Sequence, residues 1–194
     1  MSNPDAKYNK NLLNLESSSF LNTFNQVDWN DVINTLIEPA NNITIDPAKW
    51  KLEYPGYKDI FAMWQEANFN MDAVRWKNYY SGTHYDERSV EKLAEYLQLN
   101  GIHRSWISKI DPGYFAPWHW DVDDNEAKYL EKGEIFRFSV FIQPPHHGHI
   151  FIINNDYLFN IPQGTIFKWN YYKDWHAGIN AGMTPKYMLH LVAY

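Results

Sequence analysis

Three side chains that bind metal ions stand at unequal spacing in the second half of the chain. His119 and Asp121 are two positions apart, and His176 follows further along. Two imidazoles and one carboxylate can occupy one face of an Fe(II) ion, and the coordination positions that stay open are typical of O2-activating enzymes. The pattern therefore predicts that His119, Asp121 and His176 are metal ligands and form a catalytic centre.

The sequence around these residues predicts strands. Residues 105–194 consist of short apolar and aromatic runs, separated by turn residues such as Asp111-Pro-Gly and Pro162-Gln-Gly164. Short strands at this spacing, with no helical pattern between them, predict a mainly β protein built as a jelly roll or barrel. The predicted strands are Ser105–Ile110, Ile135–Gln143, Gly148–Ile153, Thr165–Trp169 and Lys186–Tyr194.

Two helical patterns precede the strands. Val27–Glu38 predicts a helix that is capped by Asp28 or Asn30 and ends before Pro39. Ser89–Gly101 predicts a second helix, because its apolar residues form one stripe and an Asn-Gly pair ends it. We expect these helices to form a layer that supports the sheet.

Length and composition limit the organisation and the partners. The 194 residues fit a single domain, with residues 1–104 as a helical and irregular N-terminal layer and residues 105–194 as the barrel. A net charge of −6 argues against nucleic acid or an anionic membrane as a partner, and the lack of cysteine excludes disulfides and zinc-thiolate sites. Without a signal-peptide pattern or a membrane-length apolar run, we predict a cytoplasmic protein, and its net charge favours a small or uncharged partner such as a small-molecule substrate. The oligomeric state stays open.

Two basic residues lie within predicted strands. If Arg137 faces inward, Ser139 shares its face; if Lys186 faces inward, Met188 and His190 share its face. A buried cation needs an anion, so inward-facing side chains would indicate an anionic ligand. The alternative is that Arg137 and Lys186 both point to solvent, as most basic residues do.

The sequence leading to His119 resembles that of a known enzyme family. In the aspartyl/asparaginyl β-hydroxylases, which are 2-oxoglutarate-dependent dioxygenases, a serine stands four residues before a Pro-Gly pair, and the first iron ligand follows six residues after the glycine. Ser108, Pro112, Gly113 and His119 reproduce this spacing.

Further matches extend the resemblance over about residues 105–194. His176 with Asn180 four residues later and Lys186 ten residues later resembles the second iron ligand of that family, its amide and its basic residue. The segment Arg137-Phe-Ser139 is similar to the Arg-x-His strand of the family. The resemblance implies a double-stranded β-helix and an Fe(II)/2-oxoglutarate-dependent dioxygenase that hydroxylates a C–H bond and releases succinate and CO2. The implied substrate is an amino-acid side chain, either free or within a peptide.

The same resemblance implies how the cofactors are held. His119, Asp121 and His176 would bind Fe(II), which 2-oxoglutarate chelates and to which O2 is added. Lys186 and Ser108, with Arg137 as a further contact, would bind the distal carboxylate of 2-oxoglutarate. Ser139, where the family has a histidine that contacts the cosubstrate, completes the set of cosubstrate-binding residues.

The chain departs from the family pattern at several positions. Asp121 stands where well-known members have glycine, which favours hydroxylation over halogenation because no position is left vacant for halide. Lys186 replaces an arginine, so a point charge would replace a bidentate contact. Residues 122–134 form a longer, acidic insertion.

Other functions and other roles for individual residues stay open. A cupin-type metalloenzyme would need no 2-oxoglutarate, and a non-catalytic jelly-roll module would use its aromatic residues to bind a ligand such as a sugar. Trp118 and Trp120 either wall a substrate channel or pack in the core. The loop histidines His146, His147 and His149 either contact substrate, with His147 as the candidate, serve a structural role, or bind a second metal.

Overall fold

The computed structural model describes residues 19–38, 58–121, 136–170 and 174–194. Two features of the sequence lie outside these residues: Pro39, the predicted end of the first helix, and the acidic insertion at 122–134. Residue 135, the predicted start of the second strand, also lies outside them.

Ten described strands form two antiparallel sheets. The larger sheet has the order β1-β8-β5-β10-β3-β2, and the smaller sheet has the order β4-β9-β6-β7. The strands are β1 (Ser19–Thr23), β2 (Lys77–Tyr80), β3 (Ile102–Ile110), β4 (Phe115–His119), β5 (Phe136–Val140), β6 (His149–Ile153), β7 (Asp156–Leu158), β8 (Thr165–Asn170), β9 (His176–Asn180) and β10 (Lys186–Ala193). All five strands that the sequence predicted are present, with ends that differ by a few residues.

The described helices are α1 (Trp29–Asn34), α2 (Lys58–Glu66) and α3 (Arg88–Tyr96). Asp28 caps α1, as predicted, because its carboxylate accepts hydrogen bonds from two backbone amides of the first turn, each at 3.1 Å. Both α1 and α3 end several residues earlier than predicted. Within the described ranges, no helix is long and apolar enough to cross a membrane.

The helices α1 and α3 cover the outer face of the larger sheet, as predicted. Trp29 from α1 and Leu93 from α3 belong to one buried apolar cluster with residues of the central strands. The strand residues of this cluster include Ile107, Phe138, Val140, Ile166, Leu189 and Leu191. Burial of this apolar surface fixes the sheet against its helical layer.

The N-terminal half supplies strands as well as helices. β1 pairs with β8 at one edge of the larger sheet, and β2 pairs with β3 at the other edge. The larger sheet therefore extends across the boundary that the sequence placed near residue 104. Sequence patterns did not predict β1 and β2 because each is short, is an edge strand and carries polar residues such as asparagine.

Two further strands that the sequence analysis missed, β4 and β9, carry the predicted metal ligands. β4 contains Pro117, which donates no backbone hydrogen bond, and its pairing with β9 has a register shift between Ala116 and His119. β9 contains Gly178, and glycine is depleted in strands. Both strands lie in the smaller sheet, one beside the other.

A second apolar cluster lies between the two sheets. Phe151 and Ile153 of the smaller sheet pack with Phe167, Trp169 and Met188 of the larger sheet. Buried polar and charged side chains of both sheets flank this cluster, and the two predicted ligands His119 and His176 are among them.

Candidate metal centre

The three predicted metal ligands come together at one end of the space between the sheets. His119 is the last residue of β4, and it pairs across the sheet with His176, the first residue of β9. Their ring centroids are 4.2 Å apart. Asp121 follows two residues after His119, and its side chain is 12% exposed.

The spacing of the donor atoms fits one metal ion. Asp121 Oδ1 lies 3.7 Å from His119 Nε2 and 3.8 Å from His176 Nε2. An ion bonded at about 2.0–2.2 Å to two donors keeps them within about 4.4 Å of each other, so both distances are compatible with a shared ion. Within the described residues, these three side chains are the one group of three or more that could hold a metal.

Backbone carbonyls set the orientation of both imidazoles. His119 Nδ1 lies 2.6 Å from the carbonyl oxygen of Pro117, and His176 Nδ1 lies 3.3 Å from that of Asp174. If each Nδ1–H donates to its carbonyl, the lone pair of each Nε2 faces Asp121. A hydrogen bond from the distal ring nitrogen is the usual support of a metal-binding histidine.

Burial keeps both imidazoles neutral. It lowers the pKa of His119 to about 4. It also lowers the pKa of His176 well below its ordinary value, with a smaller contribution from His119. A metal ligand must be a neutral imidazole, so the donor set of two neutral histidines and one carboxylate fits a first-row divalent metal such as Fe(II).

Aromatic side chains hold the two rings in place. Trp76 stacks on His119 with centroids 6.4 Å apart, and Trp64 meets the same ring edge-on at 6.3 Å. The ring of Trp169 lies edge-on to His176 at 4.4 Å. These contacts restrict the rotation of both imidazoles and exclude water from the buried side of the centre.

Arg137 contacts the third ligand. Its Nη1 forms a salt bridge with Asp121 Oδ2, which leaves Oδ1 as the oxygen that faces the two histidines. The guanidinium lies between the rings of Trp106 and Trp169, at 4.7 Å and 4.4 Å from their centroids. Arg137 is therefore buried, and the alternative that it points to solvent is wrong.

Lys186 is also buried, so the same alternative is wrong for it. Its Nζ donates a hydrogen bond to the carbonyl oxygen of Ile150 and lies 5.7 Å from the ring centroid of Phe151. Among the described residues, no carboxylate forms a salt bridge with Lys186. Burial lowers its pKa to about 7. An ammonium group in this environment favours an anionic ligand.

The backbones of the two basic residues lie far apart along the sheet, and their side chains end at different places. Arg137 pairs with Val192 on β10, and Lys186 stands six residues before Val192 on that strand. Six residues of a strand span about 20 Å. The sequence analysis grouped Arg137 with Lys186 on one carboxylate, whereas the structure puts Arg137 at the metal ligands and Lys186 further into the barrel.

A chain of hydrogen bonds connects the predicted serines. Trp169 Nε1 donates to Ser139 Oγ at 3.0 Å, and Ser139 Oγ lies 3.0 Å from His190 Nδ1. His190 Nε2 lies 3.0 Å from Ser108 Oγ. Burial lowers the pKa of His190 well below its ordinary value, so the ring is neutral and both of its nitrogens are satisfied. Ser139 is fully buried, whereas Ser108 is partly exposed at the other end of the chain.

The predicted substrate residues occupy two different places. Trp118 stacks on Trp175, and Trp120 meets the same ring edge-on, so the three form a partly exposed aromatic group next to the metal ligands. His147 is exposed on the loop before β6. The nearby residues His146 and His149 line a small cavity of about 30 Å³, and Lys186 also lines this cavity. The loop histidines do not form a metal-binding group among the described residues.

Two residues of this region were not singled out by the sequence analysis. Trp106 packs on Arg137, and its inward position follows from its alternation with Ser108 along β3. Gly178 stands two residues after His176, opposite Lys186. The feature of the sequence that could have identified it is a glycine in the middle of a strand.

Comparisons with known proteins find similarity in structure alone. No protein-family model matches the sequence, and no curated protein matches it. The viral collagen prolyl hydroxylase of Paramecium bursaria Chlorella virus-1, solved as a 2OG complex, is similar with a TM-score of 0.56 and 11% sequence identity. The similarity covers 94% of this chain and 99% of that one.

A second similar structure is a prolyl-4-hydroxylase of Pseudomonas putida. Its TM-score is 0.53 at 9% identity, and the similarity covers 95% of this chain and 96% of that one. At such low identities the likeness shows the fold, and it confirms the predicted mainly β architecture. The chain therefore has the double-stranded β-helix fold of these two prolyl hydroxylases.

Proposed function

We propose that the protein is an Fe(II)/2-oxoglutarate-dependent oxygenase that hydroxylates a C–H bond. The observation that carries the proposal is the pairing of two features: a buried His-Asp-His group with the spacing of a metal centre, and a buried ammonium that has no carboxylate partner among the described residues. The first feature suits Fe(II), and the second suits the distal carboxylate of 2-oxoglutarate.

His119, Asp121 and His176 would hold the iron. The two carbonyl contacts keep the imidazoles in one tautomer, and Arg137 keeps one carboxylate oxygen away from the metal. When bound, Fe(II) and 2-oxoglutarate supply the oxidising chemistry, in which O2 and 2-oxoglutarate are converted with the substrate C–H to succinate, CO2 and C–OH. The protein itself orients these groups and excludes water.

Lys186 would hold the distal carboxylate inside the barrel. An anion paired with Lys186 offsets the free-energy cost of burying its ammonium group, which no described carboxylate offsets. Ser108 and His190 extend the polar inner face along β3 and β10, and Arg137 lies at the opposite, metal end. We therefore assign the distal carboxylate to Lys186 and expect Arg137 to act at the metal.

The proposed substrate is an amino-acid side chain, either free or within a peptide. The matched spacing around His119 and His176 resembles the aspartyl/asparaginyl β-hydroxylases, and the two similar structures are described as prolyl hydroxylases. The partly exposed group of Trp118, Trp120 and Trp175 beside the metal ligands is the candidate substrate surface. Aromatic rings of this kind contribute large contact areas at low entropic cost.

The test adds Fe(II) and 2-oxoglutarate to metal-free protein without oxygen. We expect the weak visible charge-transfer band of chelated 2-oxoglutarate in the wild type and its loss in His176→Ala. With oxygen, Asp121→Ala should lose succinate formation while keeping its fold, as judged by circular dichroism. His84→Ala, which removes a histidine outside the site, serves as the matched control and should keep the band.

Three results would contradict the proposal. Binding of Fe(II) without the band would favour a cupin-type metalloenzyme that does not use 2-oxoglutarate. Binding of neither would favour a non-catalytic jelly-roll module. Undiminished succinate formation in Asp121→Ala would remove Asp121 from the set of ligands.

A further inference from the structure

Gly178 lies within β9, where a glycine is unfavourable. A glycine inside a strand costs about 0.5–1 kcal/mol relative to alanine, because it loses more conformational freedom on folding. Gly178 is absent from the positive-φ glycines of the described residues, so its backbone does not require glycine. A glycine at such a position is typical of a place where another group closely approaches the backbone.

The space above Gly178 lies between the metal ligands and Lys186. Residues two apart in a strand point to the same side, so a side chain at 178 would point inward with that of His176. A Cβ built on Gly178 would lie 2.9 Å from Ile110 Cδ1 and 3.6 Å from Lys186 Nζ. The first distance is too short for an undisturbed contact, and the second would place a methyl group directly against the ammonium.

The neighbours of Gly178 within the smaller sheet are one small and one aromatic residue. Its partner on β4 is Ala116, and its partner on β6 is Phe151, whose ring is 6.1 Å from that of His176. Ala116 and Gly178 are the two smallest residue types, and they lie side by side next to the paired ligand histidines. Side-chain bulk in this part of the smaller sheet is therefore least at Ala116 and Gly178. The line that runs over Gly178 from the metal ligands to Lys186 is called the passage.

The length of the passage suits a five-carbon dicarboxylate. Two strand residues separate His176 and Gly178 by about 6.8 Å. The terminal carboxyl carbons of an extended five-carbon chain are roughly 5 Å apart, given bonds of about 1.5 Å. Such a molecule, bound at the metal through its 2-oxo acid end, would pass over Gly178 to reach Lys186.

On this basis, and resting on the function proposed above, we infer that Gly178 is a specificity-determining residue for the cosubstrate. Its missing side chain reserves the passage between the metal ligands and Lys186 for the distal chain of a five-carbon 2-oxo dicarboxylate. A methyl group at this position blocks the distal chain and leaves the metal ligands untouched. A chelator that lacks a distal chain, such as oxalate, still fits.

The experiment separates blockage of the passage from disturbed packing. Gly178→Ala crowds both Ile110 and the passage, whereas the double variant Gly178→Ala with Ile110→Val removes the methyl group that the new Cβ would meet. Ile110→Val alone is the matched control. Each protein, loaded with Fe(II) under anaerobic conditions, is titrated calorimetrically with 2-oxoglutarate and with oxalate, and its thermal unfolding and Fe(II) affinity are measured.

We expect both proteins with alanine at 178 to lose about tenfold or more in affinity for 2-oxoglutarate, the size of effect that overpacking by one methyl group produces. Their affinity for Fe(II) and for oxalate should match the wild type, and the double variant should recover the thermal stability that Gly178→Ala loses. The Ile110→Val control should bind 2-oxoglutarate as the wild type does.

Recovery of 2-oxoglutarate binding together with stability in the double variant would overturn the inference, because glycine would then serve packing against Ile110. The function proposed above would survive that result. A wild-type protein that binds Fe(II) and oxalate but not 2-oxoglutarate would instead overturn the proposed function and this inference with it.

Discussion

The two oxygens of Asp121 have different partners, and this division prepares the carboxylate for one role. Oδ2 is held by Arg137, and Oδ1 faces the imidazoles of His119 and His176. Arg137 is itself fixed between two indole rings, so the carboxylate has little freedom to rotate. A carboxylate held in this way can offer a single oxygen to a metal without a further loss of entropy on binding.

Replacement of Arg137 should therefore weaken metal binding. We expect Arg137→Met to lower the affinity for Fe(II) or Co(II) by about 10- to 100-fold, the effect usual for partners of metal ligands. Anaerobic titration with either metal measures this loss of affinity. Arg88→Met removes an exposed arginine that pairs with Asp86 on the surface, and it should leave metal affinity unchanged. Equal metal affinity in Arg137→Met and wild type would show that Asp121 needs no support.

Lys186 should take up a proton when it binds an anion. Its pKa is lowered to about 7 by burial, so at pH 8 the ammonium is mostly deprotonated, and a bound carboxylate raises the pKa again. Affinity for 2-oxoglutarate should then fall as pH rises above 7. The titratable neighbours His149 and His190 have lowered pKa values and stay neutral in this range.

Calorimetry at pH 8 in buffers of different ionisation enthalpy measures this uptake. Lys186→Arg keeps its charge at pH 8, so its binding of 2-oxoglutarate should proceed without proton uptake. Uptake of the same size in both proteins would assign the proton to another group.

The roles of single residues were predictable from the sequence where the spacing between residues was itself the signal. The unequal spacing of His119, Asp121 and His176 identified a group that the fold brings together. Strand alternation correctly put Arg137 and Ser139 on one face, but it left open whether that face points inward, and it does not tell which end of a barrel a residue occupies. The separation of Arg137 from Lys186 depends on strand pairing, which the sequence does not reveal.

At the scale of elements, β5 connects the metal end to the polar interior. It lies between β8 and β10 in the larger sheet, and Ser139 at its centre accepts a hydrogen bond from Trp169 on β8 and contacts His190 on β10. One hydroxyl group therefore joins three strands. Its removal leaves buried polar atoms on both neighbouring strands without this partner.

We expect Ser139→Ala to lower the free energy of unfolding by about 1–3 kcal/mol, the cost of leaving a buried polar group unsatisfied. Trp169→Phe removes the indole donor, so the double variant should cost less than the sum of the two single variants. Urea denaturation of the four proteins measures this coupling. Strictly additive effects would show that the hydrogen bond does not join β5 to β8.

Elements with a strong apolar pattern were predictable, and those shaped by tertiary contacts were not. β3, β5, β8 and β10 are central or nearly central in the larger sheet, so they are rich in the apolar residues from which strands are read. β4 and β9 include proline, glycine and alanine beside the predicted metal ligands. Local propensity fails there because these residue types are poor strand formers, as is common where a functional site sets the choice of residues.

At the scale of the whole molecule, the centre joins strands that are distant in sequence. The ligands come from β4, the segment after it and β9, and Lys186 comes from β10, so a bound metal and 2-oxoglutarate would connect separate parts of the chain. Ligands that bind the folded state alone stabilise it by mass action. Stability should therefore report binding even in the absence of a known substrate.

We expect a metal ion at about 100 times its dissociation constant to raise the Tm by about 5–10 °C, from a stabilisation of about 2.7 kcal/mol in a domain of this size. Anaerobic differential scanning calorimetry with Fe(II), then with Fe(II) and 2-oxoglutarate, measures the two steps. His176→Ala should show neither increase. An equal increase in that variant would indicate binding elsewhere on the protein.

The position of β10 affects how the protein is made. It is the last of the ten described strands in chain order, yet it pairs with both β3 and β5 at the centre of the larger sheet. While the ribosome is still producing the chain, β3 and β5 emerge without the strand that joins them, and their open edges can pair wrongly. Correct folding of the larger sheet therefore waits until residues 186–193 have left the exit tunnel, and Lys186 can join the candidate metal centre only after synthesis of that strand.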